Sequence, residues 1–581
     1  MRPRLKRLSV LLAAAVATGA AGVVAGVLAA PDASASNNGL SVRPAMGWSS
    51  WSFVRRNPTA ANIMAQADAM KNSGLADHGF LYVNLDDFFM KCDANGPVVD
   101  ANGRWTVDTA KFPNGMKAVA DHIHNLGLKF GLYVTPGIPQ NAVTKNTPIL
   151  GSSAHAKDIA DTSKTEKNYN CKHMYYINYS KSGAQEYVNS FADLFASWGA
   201  DYLKIDGVGA QDIPDVQAWA TALRQTGRPI NFALSNNLPI ANATTWKQLA
   251  NSWRTQGDVE CYCGPGPNGS GYPLTDWNHV NSRFTTAANW QPYAGPGGWN
   301  DLDSIEIGNG DQVGLNADQR RSQLTLWSMA GAPLLLGTDL THLDATDTAM
   351  LTNDRVLGVD QDGVAAKRIS NSGGKQVFSK KESNGAYVVA LFNTNTSGNQ
   401  TVSVNWSQVG FSGNGQVTDL WSGANGGTVA NSYSVSLRPG ETRLIRVMPA
   451  IGGGGGGSTV EAEASGNTIA GSTKTATCSP CSGGTKVGFI GNGSGNYVTI
   501  NGVTPSAAGS RTLTISYLLS GSRSFFVSVN GGTGVEVPLT GTSFSTVATT
   551  TITVNLNAGP NSIKFYNNSA YAPDLDKISV N

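Results

Sequence analysis

Acidic residues recur in this sequence just beyond short apolar, β-branched runs, and the pattern suggests shared chemistry. Tyr82-Val83-Asn84-Leu85 runs into Asp86-Asp87, and Leu203-Lys204-Ile205 into Asp206. Trp253-Arg254 leads on to Asp258, and Trp299-Asn300-Asp301-Leu302 ends on Asp303. One aspartate so placed reads as a turn or a helix N-cap; four acid-bearing strand ends read as a site. Side chains alternate along an extended strand, so Lys204 and Asp206 share one face while Leu203 and Ile205 take the other. An ammonium beside a carboxylate keeps it ionised, the state in which it attacks an electrophilic carbon. Two carboxyl groups about 5 to 5.5 Å apart, one ionised and one protonated, are what retaining glycoside hydrolysis requires, and Asp258 is the candidate partner of Asp206. Trp51, Trp253 and Trp299, near the same strand ends, are candidates to stack on sugar faces.

Rival chemistries lack their motifs. His122 and His124 sit two apart on a predicted helix and point to different faces, which argues against a metal pair. No Gly-x-Ser-x-Gly elbow, Walker loop or dinucleotide fingerprint stands out, which sets aside serine esterases, phosphoryl transfer and hydride transfer.

Acids at strand ends need a scaffold that gathers them. From about Leu40 to Gly358 short apolar runs alternate with amphipathic segments of helical length, as in a parallel sheet wrapped by helices. Eight strands are predicted: Ala45 to Trp48, Phe80 to Leu85, Lys129 to Val134, Tyr202 to Ile205, Ile230 to Leu234, Asn251 to Arg254, Gly298 to Asp301 and Pro333 to Leu336. Intervening helices such as Ala61 to Ser73, Met116 to Leu126, Gly183 to Trp198 and Gln319 to Met329 complete an α/β (β/α)8 TIM barrel, whose chemistry sits at the strand C-termini. At 581 residues the chain exceeds what one hydrophobic core supports. The expected organisation is a signal peptide over 1–35, the barrel over 36–362, an antiparallel β domain over 363–451, a glycine linker over 452–457 and a C-terminal β-sandwich over 458–581.

Arg2, Arg4, Lys6 and Arg7, a weakly apolar stretch and Ala33-Ser34-Ala35 form a secretory signal pattern, so the protein is expected to be secreted, with no membrane association once the signal is cleaved. Residues 1–35 hold four basic residues and Asp32, so their removal takes the formal charge from +2 to −1 and leaves a nucleic-acid partner without electrostatic support. Six cysteines in a secreted chain allow three disulfides; Cys478-x-x-Cys481, with no second metal-ligand pair, reads as a local one.

The assembled stretches resemble glycoside hydrolase family 27, the α-galactosidase or melibiase family, over about residues 40 to 450. They are Pro44-Ala45-Met46-Gly47-Trp48-Ser49-Ser50-Trp51, Tyr82 to Asp87, Tyr202-Leu203-Lys204-Ile205-Asp206-Gly207, Gly297-Gly298-Trp299-Asn300-Asp301-Leu302-Asp303, and Ala332-Pro333-Leu334-Leu335-Leu336-Gly337-Thr338-Asp339. The resemblance implies an oligo- or polysaccharide substrate and double displacement without a catalytic cofactor, with Asp206 as nucleophile and Asp258 as general acid/base. It further implies that Trp51, Asp86, Asp87, Tyr133, Lys204, Arg254 and Asp303 bind the terminal sugar. Departures bear on the sugar: Phe88-Phe89 replaces a usual Cys-Trp, Leu234-Ser235-Asn236-Asn237-Leu238-Pro239 lacks a Glu-Trp, and residues 136–180 form a long insertion. Isomaltose-releasing dextranases and β-L-arabinopyranosidases of the family are the alternatives to α-galactosidase, and a non-catalytic glycan-binding protein is the alternative of another class.

Val460-Glu461-Ala462-Glu463-Ala464 and Pro573-Asp574-Leu575-Asp576-Lys577-Ile578 resemble carbohydrate-binding modules of families 35 and 6. Glu461 and Glu463 on one strand face and Asp576 on the closing strand offer oxygen ligands for a structural calcium ion. Tyr571 and Asn568 are the candidates for glycan contact.

Overall fold

The structure, a computed structural model, describes residues 38–266, 269–449, 458–505 and 508–580. The expected signal segment, 1–35, and the glycine linker, 452–457, lie outside the described residues.

Eight parallel strands form the barrel: β1 (Met46–Ser49), β2 (Tyr82–Asn84), β3 (Lys129–Val134), β4 (Tyr202–Ile205), β5 (Asn231–Leu234), β6 (Ser252–Arg254), β7 (Trp299–Asp301) and β8 (Leu334–Leu336). They pair in the order β7-β6-β5-β4-β3-β2-β1-β8, and the ring closes through an Ile305–Leu336 bridge just beyond β7. Helices α1 (Ala60–Asn72), α2 (Gly115–Asn125), α3 (Ala184–Trp198), α4 (Ile213–Gln225), α5 (Ala243–Leu249), α6 (Trp277–Trp290) and α7 (Ala317–Ala330) cover the outside. Each forms for a local reason. A capping box between Thr59 and Asn62 starts α1, and α2 buries Met116, Val119, Ala120 and Ile123, one helical face at three- and four-residue spacing.

The register decides what faces inward. Asn84 lies opposite Gly131, Gly131 opposite Tyr202, Tyr133 opposite Lys204, and Arg254 opposite Asp301. Inward positions two residues apart therefore climb from an apolar floor of Ala45, Tyr82, Tyr202 and Ala233 to a charged rim. Gly131 is required in this ladder, because a Cβ there would collide with the Asn84 side chain.

Residues 138–177 build a small antiparallel sheet on the rim from Ile138–Pro139, Ala160–Glu166 and Met174–Ile177. The Cys92–Cys171 disulfide ties it to the loop after β2. The other two disulfides are local, Cys261–Cys263 and Cys478–Cys481.

A six-stranded antiparallel sheet follows the barrel, faced by the pair Gln400–Asn405 and Ser432–Leu437. Its strand Tyr387–Asn393 is apolar on both sides. Val389 and Leu391 enter the domain's own core with Trp406 and Ile445, whereas Ala390 and Phe392 join the barrel core, where the Phe392 ring meets Phe284 of α6 edge-on at 4.8 Å.

The terminal residues form a nine-stranded antiparallel system around a separate core that includes Val487, Leu513, Phe525, Phe565 and Ile578. Where short strands are expected at Thr512 to Leu518 and Phe525 to Val529, one strand of 21 residues runs from Gly509 to Val529. A bulge between Tyr517 and Leu519 bends it. Its first half pairs with Asp574–Val580 and its second with Asn561–Tyr566, so one strand serves two faces and Ser520-Gly521-Ser522 is not a turn.

Candidate active site

A cavity of about 690 Å³ opens at the C-terminal ends of the strands, lined by Trp51, Asp86, Asp87, Tyr133, Lys204, Asp206 and Asp258 among others. Seven side chains singled out from the sequence thus meet in one place; Arg254 and Asp303 lie directly beneath.

The paired acids sit on the loop that leaves β2. The Asp86 amide donates to Ser50 Oγ at 2.9 Å, which fixes the turn, and Lys204 Nζ donates to Asp86 Oδ2 at 2.7 Å. The Lys204 ammonium is therefore paired with Asp86, whereas the sequence suggested Asp206; the strand spacing is right, but the ammonium on β4 reaches across to the adjoining acid loop. Burial raises the Asp86 carboxyl against the pull of Lys204, and Lys204 itself, half-buried and flanked by Asp86 and Asp206, holds its charge more firmly than a free lysine. Asp87 accepts a hydrogen bond from the Phe88 amide at 2.7 Å, while its Oδ2 is buried with no protein partner. Burial pushes its carboxyl to about 7. A buried acceptor with a free lone pair at a cavity wall is suited to a ligand hydroxyl.

Asp206 extends beyond β4 on the same face as Lys204. Its Oδ1 accepts from the Gly207 amide at 2.8 Å and its Oδ2 from the Tyr133 hydroxyl at 3.2 Å. Two donors fix its orientation.

Asp258 lies four residues past the end of β6 and is exposed to the cavity. Arg254 Nη2 donates to its Oδ1 at 3.1 Å, and the Tyr262 hydroxyl donates to its Oδ2. Burial would lift this carboxyl, yet Arg254, Tyr262 and Lys204 outweigh it and hold it below the ordinary range. Arg254 is pinned on the other side by Asp303 Oδ2 at 2.8 Å, and the Val259 amide also donates to Asp303 Oδ2 at 2.6 Å. The oxygens of Asp258, Glu260 and Asp303 lie within 4.8 Å of one another; the Arg254 guanidinium, bonded to two of the three, supplies the positive charge among them. Burial raises Asp301, next to Arg254 in the register, to about 6.

Phe88, Asn236, Tyr262 and Asp303 are non-glycine residues with φ of +74°, +135°, +51° and +82°. All four stand beyond strand C-termini around the cavity, so backbone strain concentrates where side chains are aimed inward.

Trp253 and Trp299 do not reach a sugar. Both are fully buried; the Trp253 indole donates to Asn300 Oδ1 and that of Trp299 to the Ser41 carbonyl. Trp253 faces the helices because it alternates with Arg254, and Trp299 plugs the barrel floor. Trp51 alone of the three lines the cavity, stacked on Phe88 at 6.2 Å. His122 and His124 bond different acids, Asp68 and Asp201. Tyr169, Tyr262, Asn236 and Phe88 also line the cavity. Three lie in segments flagged only indirectly by the sequence, namely the insertion, the loop after β5 and the Phe88-Phe89 departure; Tyr262 lies between two cysteines that the sequence does not single out.

In the terminal domain Glu461, Glu463 and Asp576 face one turn. The Ser482 hydroxyl donates to Glu461 Oε1 at 2.6 Å and the Ser482 amide to Asp576 Oδ1 at 3.0 Å, and Glu463 Oε1 lies beside Gly483. Glu461 Oε2 and Glu463 Oε2 are buried without partners, although the three residues do not bring their oxygens within 4.8 Å of one another.

A (β/α)8 barrel with two aspartates over a polar cavity, wrapped by lysine, arginine, tyrosine and tryptophan, defines a glycoside hydrolase. The family model described as alpha galactosidase A matches residues 43–161 and 172–362, and that of the alpha galactosidase C-terminal beta sandwich domain matches residues 372–447. The chain belongs to the α-galactosidase A family. It is 31% identical over 423 residues to an α-galactosidase of Oryza sativa subsp. japonica, covering 71% of this chain and 87% of that protein. Among solved structures it is similar to a β-L-arabinopyranosidase of glycoside hydrolase family 27 from Geobacillus stearothermophilus, with 30% identity, 71% and 98% coverage and a TM-score of 0.64. It is also similar to α-galactosidase I from Mortierella vinacea, with 28% identity, 71% and 98% coverage and a TM-score of 0.56. No helix among the described residues is long and apolar enough to cross a membrane.

Proposed function

We propose that this enzyme is a secreted, retaining exo-α-galactosidase in which Asp206 attacks the anomeric carbon and Asp258 protonates the departing oxygen, then deprotonates the water that releases the sugar. The observation that carries the reading is the shared cavity of the two aspartates, one hydrogen-bonded by Tyr133 and the Gly207 amide, the other at the exposed side. Asp86, Asp87, Lys204 and Trp51 hold the terminal sugar, with the unpartnered Asp87 Oδ2 accepting one of its hydroxyls. Arg254, anchored by Asp303, orients the acid/base loop. The basic and apolar start of the sequence and the three disulfides support an oxidising, extracellular destination.

A second reading, β-L-arabinopyranosidase, draws on Phe88-Phe89 beside the paired acids and on the likeness to the Geobacillus structure. Release of 4-nitrophenol from the α-D-galactopyranoside and the β-L-arabinopyranoside, measured side by side with sugar release from dextran, separates the readings. Faster turnover of the galactoside supports the first, and preference for either other substrate replaces it. Asp206→Asn should lower turnover by about 10³-fold or more. Substantial activity in a clean preparation of that variant removes the nucleophile assignment.

The terminal domain is a carbohydrate-binding module in this reading. The orphaned oxygens of Glu461 and Glu463, with Asp576 across the turn, fit a hard cation, and a bound calcium ion there would brace the first and last strands. Phe489 and Tyr571, exposed and edge-on at 6.5 Å, present an aromatic surface for a glycan.

A further inference from the structure

Between Cys261 and Cys263 the chain presents one side chain to the catalytic cavity. The disulfide joins residues two apart, with Cα atoms 5.1 Å from each other, and Tyr262 between them takes a left-handed backbone, φ +51°. The turn is backed by Gly269, where a Cβ would collide with the Tyr262 carbonyl. The Tyr262 ring stands 4.6 Å from the Arg55 guanidinium. Its hydroxyl accepts from the Trp51 indole N–H at 3.0 Å and donates to Asp258 Oδ2. Trp51 and Asp258, which stand on loops after different strands, are thereby joined through one phenol.

Both oxygens of Asp258 are thus engaged, Oδ1 by Arg254 and Oδ2 by Tyr262. Proton donation to a glycosidic oxygen requires one of these bonds to open. Arg254 is buried and pinned by Asp303; Tyr262 is 37% exposed on a turn at the cavity edge. The bond that opens is the one to Tyr262.

We propose that Tyr262, clasped by the Cys261–Cys263 disulfide, is a positioning residue that holds the Asp258 carboxylate aimed and ionised in the resting enzyme and yields its hydrogen bond to the leaving-group oxygen. This rests on the acid/base assignment of Asp258 made above. As the tyrosine bond opens, Asp258 takes a proton from solvent; in the first half-reaction that proton passes to the glycosidic oxygen as the C–O bond breaks and Asp206 bonds the anomeric carbon, which leaves Asp258 a carboxylate again. The tyrosine then returns to the carboxylate, which is the base of the second half-reaction. Asp258 is faced by Arg254, Lys204, Asp303, Glu260 and Tyr169, with Asp206 in the same cavity, and Tyr262→Phe removes none of these groups. Burial keeps the Tyr262 phenol far above its ordinary value, so it acts as a neutral donor throughout.

The test is the pH profile of kcat/KM for Tyr262→Phe, which keeps the ring over Arg55. Loss of a donor to the carboxylate raises the acid's pKa, so the basic limb should move upward by about one pH unit. The larger kcat change should fall on glycosides with poor leaving groups. Cys261→Ser combined with Cys263→Ser should move the limb the same way, and adding Tyr262→Phe to that pair should shift it little further. An unmoved limb in Tyr262→Phe overturns the proposal, whether activity is kept or lost. Asp258→Asn, assayed on an activated aryl glycoside, should abolish the basic limb; a limb that persists there removes the acid/base assignment itself.

Discussion

Six charged side chains line the cavity, and the protonation of those that meet the sugar decides how it binds. Asp86 is neutralised by Lys204, and Asp206 is held by two donors. Asp87 keeps one oxygen without a partner, and its carboxyl sits near 7 because burial penalises the anion. A hydroxyl that donates to this oxygen stabilises the anion and lowers the pKa, so binding a sugar expels a proton. Affinity for the released sugar should therefore rise as pH climbs from about 4 to 7. Calorimetry in buffers of different ionisation enthalpy should show net proton release over that range. Asp87→Asn should abolish the release; a parent enzyme that binds without it would refute the role of Asp87. The sign for folding is opposite in sense. With its folded pKa raised above the unfolded value near 3.9, Asp87 leaves stability intact at low pH and erodes it as pH rises through 7. The acids themselves were readable from sequence, because an inward position on a strand repeats every two residues and the active rim lies just past the last apolar one. Tyr262 and Tyr169 were not, because they come from loops whose paths are set by disulfides and by contacts across the rim.

Strand positions could be read within one or two residues, since a buried parallel strand leaves a compact apolar run and the following helix a 3.6-residue period. The long bent strand over Gly509–Val529 escaped because its bend looks like a turn in composition. The rim insertion was visible only as a length of chain. Against it lies a carboxyl cluster that no local pattern reveals. Glu166, at the end of Ala160–Glu166, is buried against Asp212 and Asp215 at the start of α4. Asp212 in turn accepts from the amide of Gly209, three residues past Asp206. Burial first, then the two neighbouring acids, raise Glu166 to about 8. An acid whose folded pKa exceeds its unfolded value near 4.3 binds the proton more tightly when docked. Docking is therefore firm below about 4 and weakens as pH rises through 8. Amide protection factors over 160–166 should fall about tenfold between pH 5 and pH 8.5, and Glu166→Gln should keep them level. Equal protection at both pH values in the parent would show that the cluster does not hold the insertion.

At the scale of the whole chain, the cores divide function. The sheet after the barrel shares its Phe392 face with α6, so barrel and sheet unfold as partners: Phe392→Ala removes an aromatic contact from both and should destabilise them together by about 3 to 5 kcal/mol. The terminal domain has its own core, and among the described residues its strands pair only with one another. Removal of residues 458–581 should therefore leave kcat/KM on a small aryl glycoside within about twofold, because every described side chain of the cavity comes from residues 51 to 269. If the terminal domain binds glycan as proposed, activity on a polymeric substrate should fall much further, since a tethered binding module raises the local concentration of chain ends, by up to about 10²-fold for a well-matched tether. Chelation of the intact protein provides the complementary measurement. If Glu461, Glu463 and Asp576 hold calcium, EDTA should lower the melting temperature of the terminal domain alone and mimic the truncation on polymer while sparing the small glycoside. Loss of small-substrate turnover on truncation would instead mean that the module completes the catalytic cavity.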